Sequence, residues 1–447
     1  MAKTKKNNVG KFIKNPKKAL FTLAIPMVVA MLVQALYNVV DTAFVGRLGA
    51  ESIAALTFSF PLFFILMGVN AGIGTGVSSR IARFMGAKNK TAAENTAIHG
   101  LILSTVLAVV FFFLGRAYLV PLFNLFGATE SVTSLAVQYM GVVLIGIVFM
   151  FPAHVILNIF LAQGDTKTPT KVQVMALALN MILDPIFIYT LGYGVKGAGI
   201  ATAISFCFAF VLSVYYLKKD SYIEVNPESF SKSLWIVKQI FKIGAPATMT
   251  MLLIAVYMGF INRFMAHFGT DYVAAFGLSG RLESIAILPV LAISMSLLTL
   301  VGMFYGAKRY DLMKEISWYG IKNSMIFMIA AGILLFVFPS VFLRIFTSDP
   351  NLLAIGSAYL RVIVFTLPLM AIGNTISRVL QGIGSGMPAF IISLIRIIIV
   401  SLPLAYLFVF KLGYGYLSIA AAMVIGGIAA ALIAVILLEL KLKKIVA

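Results

Sequence analysis

Three acidic side chains lie inside long apolar stretches of the sequence, Asp41, Asp184 and Glu283. An ionised carboxylate at the centre of a membrane helix costs about 2.5–3.5 kcal/mol on an insertion scale, so such residues usually serve a function. Two carboxyl groups that lie close together in apolar surroundings resist ionising together, so one of them holds a proton near neutral pH. With neutral oxygens from Asn180 and Thr202, the same groups would instead suit Na⁺, which takes oxygen ligands. The sequence therefore predicts a cation-coupling site for H⁺ or Na⁺, and the choice between the two ions stays open.

The composition shows which kind of element must hold these residues. The chain has 447 residues, of which 61% are hydrophobic and 11% are charged, and its mean hydropathy is +1.03. Soluble domains carry about 25% charged residues, so the chain is read as a membrane protein. In hydrocarbon each spanning segment must be a helix, because lipid offers no partner to the backbone polar groups. The fold class predicted is all-α, a polytopic membrane protein with twelve transmembrane helices.

The twelve apolar runs are each about 20 residues or longer, enough to cross ~30 Å of hydrocarbon. They cover approximately residues 18–45, 52–80, 92–116, 132–160, 169–190, 197–217, 237–262, 272–302, 315–340, 352–380, 387–410 and 414–439.

The chain is an internal repeat. At an offset of about 220 residues, matching positions include Pro26 with Pro246, Tyr37 with Tyr257, Tyr139 with Tyr359, and Gly86-Ala87-Lys88 with Gly306-Ala307-Lys308. Six helices per repeat is an even number, so both repeats enter the membrane from the same side. This predicts two pseudo-symmetric six-helix lobes, residues 18–217 and 237–447, after a basic tail at 1–17 and joined by a linker at 218–236. Such a layout is typical of alternating-access transporters.

The repeat also shows that the polar cluster belongs to one lobe. Asp41 corresponds to Ile261, and Asp184 corresponds to Leu402. The remaining polar positions have the following counterparts: Gln34 with Ile254, Asn38 with Met258, Asn180 with Ile398 and Thr202 with Ala421. Asp41, Asp184 and Thr202 are each expected about one to one and a half turns below the outer surface, and Asn180 one turn deeper on the face of Asp184. The opposing interpretation is that the two acids are inert helix-end residues.

Other residues are predicted to support this site or to line a substrate path. Pro26 would bend the first helix and so could couple ion binding to closure, although Pro246 repeats it in a lobe without the acids. The further supporting residues are Gln34, Tyr37, Asn38, Tyr139 and Glu283. Glu283 either lines the cleft of the second lobe or pairs with a distant Arg, since Arg281, two residues away, lies on another face of the helix.

The net charge of +20 reflects membrane topology. Most of the 35 Lys and Arg residues fall in the N-terminal tail, the even-numbered loops and the C-terminal tail, so both termini are expected in the cytoplasm of a cell-membrane protein. Nucleic acid is not an expected partner. The first apolar run is too long for a signal peptide and is expected to stay in the mature protein. Cys207 is the one cysteine and the three His share no metal-ligand spacing, so neither type indicates a metal site.

Several motifs resemble the multidrug and toxic compound extrusion (MATE) family over essentially the whole chain. They are Ala24-Ile-Pro26, Tyr37-Asn-Val-Val-Asp-Thr-Ala-Phe-Val-Gly46, Gln163-Gly-Asp-Thr-Lys-Thr-Pro169, Leu183-Asp-Pro185 and Leu191-Gly-Tyr-Gly-Val-Lys-Gly-Ala-Gly-Ile-Ala-Thr-Ala203. The pattern of acids is similar to the DinF-like branch. That resemblance implies a two-lobed antiporter that exports cationic or amphipathic compounds in exchange for inward H⁺ or Na⁺. It assigns ion coupling to Asp41, Asn180, Asp184 and Thr202, and helix bending to Pro26.

The same resemblance limits the second lobe. The NorM-like branch also uses acids in helices seven and ten, and this chain has none there, so Na⁺ binding in the second lobe is not expected. The predicted function is a secondary active exporter of small amphipathic or cationic compounds. We expect a monomer in contact with membrane lipid, with no cofactor other than the coupling ion.

Three other functions were weighed. A lipid-linked precursor flippase of the same superfamily should carry several Arg or Lys inside its cleft helices, and the first lobe carries almost none there. An intramembrane enzyme would need a catalytic constellation at one depth, and none is visible, so the chain is expected not to be an enzyme. A channel is disfavoured because tandem six-helix repeats favour rocking lobes.

Overall fold

The protein is described from a computed structural model, which covers residues 8–125, 127–226, 228 and 230–446. Within these ranges the regular structure is helical, and no strand is found. Eleven helices are long and apolar enough to span a membrane, and two further helices joined by a bend of 51° add a twelfth span. The prediction of an all-α membrane protein with twelve spans is therefore confirmed. We number the spans α1 to α12.

The first repeat consists of six long helices after a short helix at Val9–Lys14. They are α1 (Pro16–Gly46), α2 (Ala50–Gly86), α3 (Lys90–Leu125), α4 (Glu130–Ala162), α5 (Lys167–Pro185, continued by a π-helix at Ile186–Thr190) and α6 (Gly194–Asp220). Apart from the π-helical end of α5, each of these spans is a single α-helix. Prolines lie inside α1 to α4 without breaking them, at Pro26, Pro61, Pro121 and Pro152.

The second repeat is more interrupted. Its spans are α7 (Leu234–Ala266), α8 (Thr270–Ala286 and Leu288–Gly306), α9 (Tyr310–Val337, followed by a short helix at Pro339–Leu343), α10 (Pro350–Ile363 and Thr366–Ile383), α11 (Met387–Leu394, continuing in π- and α-helical segments to Lys411) and α12 (Leu417–Val446). Breaks of this kind leave backbone polar groups available, which membrane proteins tolerate only where protein or a cavity satisfies them.

The repeat is visible in the backbone as well as in the sequence. Lys88 and Lys308 both adopt φ of 56°, just after the ends of α2 and α8, and they are repeat counterparts. Gly49 and Gly269, before α2 and α8, both have positive φ, 106° and 128°. A lysine in the left-handed region is uncommon, so its presence at both positions indicates that the two repeats share one local geometry.

Packing divides the chain into two compact units. Among the described residues, the first unit comprises 8–10 and Ile25–Ala245, and the second comprises Lys11–Ala24 and 246–446. Two of the three changes of unit fall next to the paired prolines, Pro26 and Pro246. Within the second unit Lys17 forms an ion pair with Glu315 at 3.0 Å. Within the first unit a Cβ on Gly244 would lie 2.7 Å from the carbonyl oxygen of Gly72, so α7 begins in close contact with α2.

Candidate functional site

The structure brings the predicted acids of the first lobe together. The carboxyl groups of Asp41 on α1 and Asp184 on α5 lie close enough to interact with each other. Asp184 is fully buried, and Asp41 is half-buried. Two carboxyl groups this close in buried surroundings cannot both ionise without a large electrostatic cost. The pair is therefore built to hold a proton or to share a cation.

The end of α5 explains how Asp184 is placed. Pro185 follows it directly and has no N–H, and the helix then widens to the π-helix Ile186–Thr190. Single π-helical turns inside α-helices are frequent at functional sites. The Tyr189 hydroxyl donates to the carbonyl oxygen of Phe44, and the two rings meet edge to face at 6.4 Å. This contact fixes the end of α5 against α1, one turn beyond Asp41.

Two tyrosines accompany the acid pair. Tyr37 and Tyr139 both lie close enough to Asp41 and Asp184 to interact with them electrostatically. Both hydroxyls also lie near the Thr202 side chain. Thr202 Oγ1 itself donates to the carbonyl oxygen of Ala198 at 2.9 Å, so its lone pairs remain for the tyrosine hydroxyls. Asp41, Asp184 and Thr202 are thus held in one group with Tyr37 and Tyr139.

Glycines allow α6 to bring Thr202 into this group. A Cβ on Gly197 would lie 2.5 Å from the carbonyl oxygen of Phe187, and one on Gly199 would lie 2.9 Å from that of Tyr139. Real Cβ atoms do not approach backbone oxygens so closely, so only glycine fits at these positions. The motif Leu191 to Ala203 therefore has a structural reason: it packs α6 directly onto α4 and α5.

Several polar atoms of the site have no partner among the described residues. They are both carboxyl oxygens of Asp184 and both side-chain polar atoms of Asn180. Asn180 is 2% exposed and Asp184 is 0% exposed, so water does not satisfy them from outside. Buried polar groups are normally paired, and an unpaired set calls for a missing partner. Acceptor oxygens without donors are what a proton or a small cation would satisfy.

An apolar cluster closes the site on the side of the α1 and α5 ends. Its buried members are Val45, Ile188 and Ala198, and Tyr139 packs against it together with Phe44, Leu48 and Leu56. This cluster lies between the acid pair and the loops that follow α1 and α5. The carboxyl pair therefore has apolar side chains on this side.

A second set of contacts joins α1 to α5 further along. Gln34 Nε2 donates to Asn38 Oδ1 at 3.1 Å, and Gln173 Nε2 donates to Gln34 Oε1 at 3.3 Å. Thr170 Oγ1 donates to the carbonyl oxygen of Pro26 at 2.9 Å, which gives this proline a polar contact across the unit. Gln34, Asn38 and Pro26 were predicted to support the site, and the structure places them along the α1–α5 seam.

Sequence reasoning missed Gln173 and Thr170. Gln173 lies seven residues before Asn180 and eleven before Asp184, so all three fall on one face of α5. That spacing was the signal that could have found it. Thr170 gave no comparable signal, because its role depends on the bend of α1 at Pro26.

Glu283 does not belong to this cluster. It lies in the second unit, close enough to Tyr257 and Tyr359 to interact with both. Arg281 instead stands over the ring of Phe346, 6.0 Å from its centroid. Among the described residues no group of three or more His, Cys, Asp or Glu gathers in a way that could hold a metal ion. An ion at the first-unit site would therefore depend on two acids and on neutral oxygens.

The fold and this site define a class of protein. Twelve helical spans in a tandem repeat, with a buried acid pair in one repeat, are the architecture of a polytopic membrane transporter. Comparison with known proteins gives the family. The MatE family model matches residues 26–186 and 246–407, two segments that start at the repeat-paired prolines. The chain belongs to the MatE family, whose members are MATE multidrug efflux transporters.

Individual relatives cover most of the chain. It is 28% identical to a protein of Shewanella oneidensis named "FAD transporter", over 87% of each chain. It is also 28% identical to the "Probable multidrug resistance protein NorM" of Thermotoga maritima, over 89% of this chain and 87% of the relative. A solved structure of a MOP superfamily transporter from Pyrococcus furiosus matches with a TM-score of 0.94 and 31% identity, over 100% of both chains.

Proposed function

We propose that the protein exports small amphipathic or cationic compounds by alternating access, in exchange for inward movement of H⁺ bound at the Asp41–Asp184 pair. The observation that carries this proposal is the proximity of the two carboxyl groups, together with the buried, unpaired oxygens of Asp184. Such a pair cannot hold two negative charges at close range without a large electrostatic cost. It therefore takes up a proton when its two helices close together and releases one when they part.

Sodium is the second candidate for the coupling ion. The unpaired oxygens of Asp184 and Asn180 are ligands of the type that Na⁺ takes, and Thr202 offers another. H⁺ is preferred here because two neighbouring carboxyl groups in buried surroundings cannot both ionise cheaply, and a single proton on either group removes that cost. A site with Na⁺ bound would hold the two carboxylates apart around the cation.

The α1–α5 seam suggests how ion binding changes the conformation. α1 is joined to α5 through the Thr170–Pro26, Gln173–Gln34 and Tyr189–Phe44 contacts, with the acid pair between the last two. Loss of the shared proton would place two repelling charges in the middle of this seam. α1 can respond at Pro26, because a proline inside a helix removes one backbone hydrogen bond and lowers the cost of bending there. A ligand shifts such an equilibrium by its difference in affinity for the two states.

The orientation and cargo are part of the same proposal. Both termini are placed in the cytoplasm by the distribution of Lys and Arg between the two sets of loops. The relatives carry different names, a FAD transporter in one organism and multidrug proteins in others, so the proposed cargo is stated as a chemical class. We expect the monomer to be the working unit, since each chain carries both repeats.

The test is transport in proteoliposomes with a single ion gradient imposed at a time. The wild type, Asp41→Asn and a control, Asp271→Asn, are compared, with an amphipathic fluorescent cation as cargo. Asp271 is an exposed acid in the first turn of α8, so the control makes the same chemical change outside the site. We expect an H⁺ gradient to drive export in the wild type and the control, and Asp41→Asn to behave like protein-free liposomes.

Two results would contradict the proposal. Export driven by Na⁺ alone would show that the coupling ion is misidentified. Full H⁺-driven export by Asp41→Asn would show that the coupling site lies elsewhere.

A further inference from the structure

The second unit contains a polar group of its own, built around the repeat counterparts of the two site tyrosines. Tyr257 and Tyr359 are 4% and 1% exposed and belong to the core of that unit. Glu283 lies close enough to interact electrostatically with both hydroxyls, and Arg396 does so with Tyr257. The Tyr257 hydroxyl therefore interacts with a carboxylate on α8 and with a guanidinium on α11. Among the described residues, the counterparts Tyr37 and Tyr139 interact with two acids and with no cation.

Neither charged side chain has an ionic partner. Among the described residues, all ion pairs within 4.0 Å involve other groups: Lys17–Glu315, Lys90 with Glu94 and Glu224, and Arg309–Asp311. Arg281 packs over Phe346, and Arg378 donates to Gln381 Oε1 at 3.0 Å. An unpaired Arg or Glu inside the membrane is costly and is kept where it has a function.

Both side chains are half-buried, so each keeps an accessible part. The guanidinium of Arg396 carries five N–H donors, none of which makes a hydrogen bond to a described residue. Ser401 adds an unpaired hydroxyl, which is fully buried near the Tyr257 hydroxyl. A set of donors and acceptors that is left without partners inside a transporter is arranged for a ligand.

The helices that carry these groups are the interrupted ones. Glu283 lies in the last turn before α8 breaks, and its carbonyl oxygen accepts from Ile287 N at the break, at 3.0 Å. Arg396 and Ser401 lie in the π-helix Ile395–Ser401 of α11. In membrane transporters, substrate sites are typically formed where helices are discontinuous. α12 packs closely against this segment at Gly426. A Cβ added at this position would lie 2.8 Å from the carbonyl oxygen of Arg396, so glycine is required there.

The three side chains also lie at similar depth. The ends of α7 at Ala266, of α8 at Thr270 and of α11 at Lys411 face the same side, because the helices alternate in direction. At 1.5 Å per residue, Tyr257 lies ~14 Å, Glu283 ~20 Å and Arg396 ~22 Å from those ends. All three are therefore well inside the membrane, where binding sites of repeat-built transporters are found.

We propose that Glu283, Tyr257 and Arg396 form a recognition site for amphoteric amphipathic cargo, in which Arg396 binds a carboxylate or similar anionic group and Glu283 binds a cationic group of the same molecule. A guanidinium binds a carboxylate through two parallel hydrogen bonds, which gives both affinity and orientation. Tyr257, which interacts with both charged groups, offers its hydroxyl to the ligand as a third polar group. This inference rests on the proposed export function, because it names the class of cargo.

The experiment compares two dyes that differ in one group. Rhodamine B is a zwitterion at neutral pH, and its ethyl ester is a cation of the same shape. Binding is measured by fluorescence polarisation in detergent, without any gradient, on the wild type, Arg396→Gln, Glu283→Gln and a control, Arg361→Gln, which changes an exposed arginine at the end of the first part of α10.

We expect the wild type to prefer rhodamine B. A hydrogen bond to a charged group contributes about 1.5–3 kcal/mol, so Arg396→Gln should weaken rhodamine B binding roughly 10- to 100-fold. The ester should bind Arg396→Gln as well as it binds the wild type. Glu283→Gln should weaken both dyes, and Arg361→Gln neither.

The outcomes separate this inference from the proposed function. Asp41→Asn should bind rhodamine B normally while it fails to export, since binding needs no coupling ion. Equal loss of both dyes in Arg396→Gln would show a purely structural role for Arg396 and overturn the inference. If Arg396→Gln does not fold, the test is the comparison of the two dyes on the wild-type protein. An ester that binds the wild type as tightly as rhodamine B would overturn the inference.

Discussion

The two repeats place the same pair of tyrosines in different chemical surroundings. In the first unit, Tyr37 and Tyr139 accompany the carboxyl pair of Asp41 and Asp184. In the second unit, their counterparts Tyr257 and Tyr359 stand with Glu283, and Tyr257 also faces Arg396. The first group has two acids and no cation, whereas the second has one acid and an unpaired cation.

The difference extends to the helices. The first unit presents its acids from spans that are continuous apart from the end of α5, whereas the second presents Glu283 and Arg396 from spans broken at α8 and α11. A duplicated frame has thus kept its tyrosines and changed the charged groups around them. We interpret this difference as two functions assigned to the two repeats. The first binds a small ion between closely packed helices, and the second binds an organic molecule where helices are interrupted.

The largest effect is expected when the first unit is made like the second. Asp184→Leu introduces the residue found at the repeat counterpart, Leu402. Gradient-driven export should be lost in proteoliposomes. Stability should not fall, because two unpaired buried oxygens are removed and apolar replacements of buried charges are neutral or stabilising by about 1–4 kcal/mol.

Thermal unfolding in detergent checks the second half of this prediction. The reciprocal change Leu402→Asp serves as the control and should destabilise the protein, since it adds a carboxylate without partners to the second unit. A large loss of stability in Asp184→Leu would mean that Asp184 holds the fold together and is not kept for ion binding.

A smaller effect tests the packing of the broken α11. Gly426→Ala would place a Cβ 2.8 Å from the carbonyl oxygen of Arg396 and 2.0 Å from Ser401 Oγ. The π-helix must then shift, and overpacking of this kind costs about 3 kcal/mol at the upper end of its usual range. Gly373→Ala is the matched control, because its Cβ meets nothing within 4 Å and alanine favours the helix.

Unfolding of the two variants in denaturant gives the comparison directly. If Gly426→Ala is as stable as the wild type, α12 does not hold the π-helix in place. Packing against α12 would then not explain why α11 is interrupted.

The smallest effect concerns a repeat pair with different partners. Gln163 donates to Ser221 Oγ at 2.8 Å and accepts from Tyr222 N at 2.7 Å, which ties the segment after α6 to α4. Its counterpart Gln381 instead accepts from Arg378. Gln163→Ala leaves buried groups unpaired and should cost about 1–2 kcal/mol in unfolding free energy.

The control for this change is Gln138→Ala on the same helix, where the side chain is exposed and its contact with Ser134 is 3.5 Å. Gln138→Ala should change stability by a few tenths of a kcal/mol at most. Equal effects of the two changes would show that Gln163 does not anchor the segment.

Much of this protein could be predicted without coordinates because a membrane restricts what a chain can do. Apolar runs of spanning length must be helices, so the number of spans and the fold class follow from the sequence. The repeat offset, seen first at Pro26 and Pro246, reappears in the family match and in the shared backbone of Lys88 and Lys308. Comparison of the repeats also identified Asp41 and Asp184. Each acid has an apolar residue at the equivalent position of the other repeat, so the shared fold does not require it.

Only the tertiary structure decided which of these residues meet. Asp41 and Asp184 are far apart in sequence, and their proximity depends on the packing of α1 against α5. The roles of Thr170 and Gln173 depend on the seam between α1 and α5, which no local pattern encodes. Arg396 was not recognised in the sequence, because a single Arg in an apolar run is ambiguous until its neighbours are known. The sequence determined the helices and their duplication through hydrophobicity and spacing, and the packing of the helices determined which polar groups are left without partners.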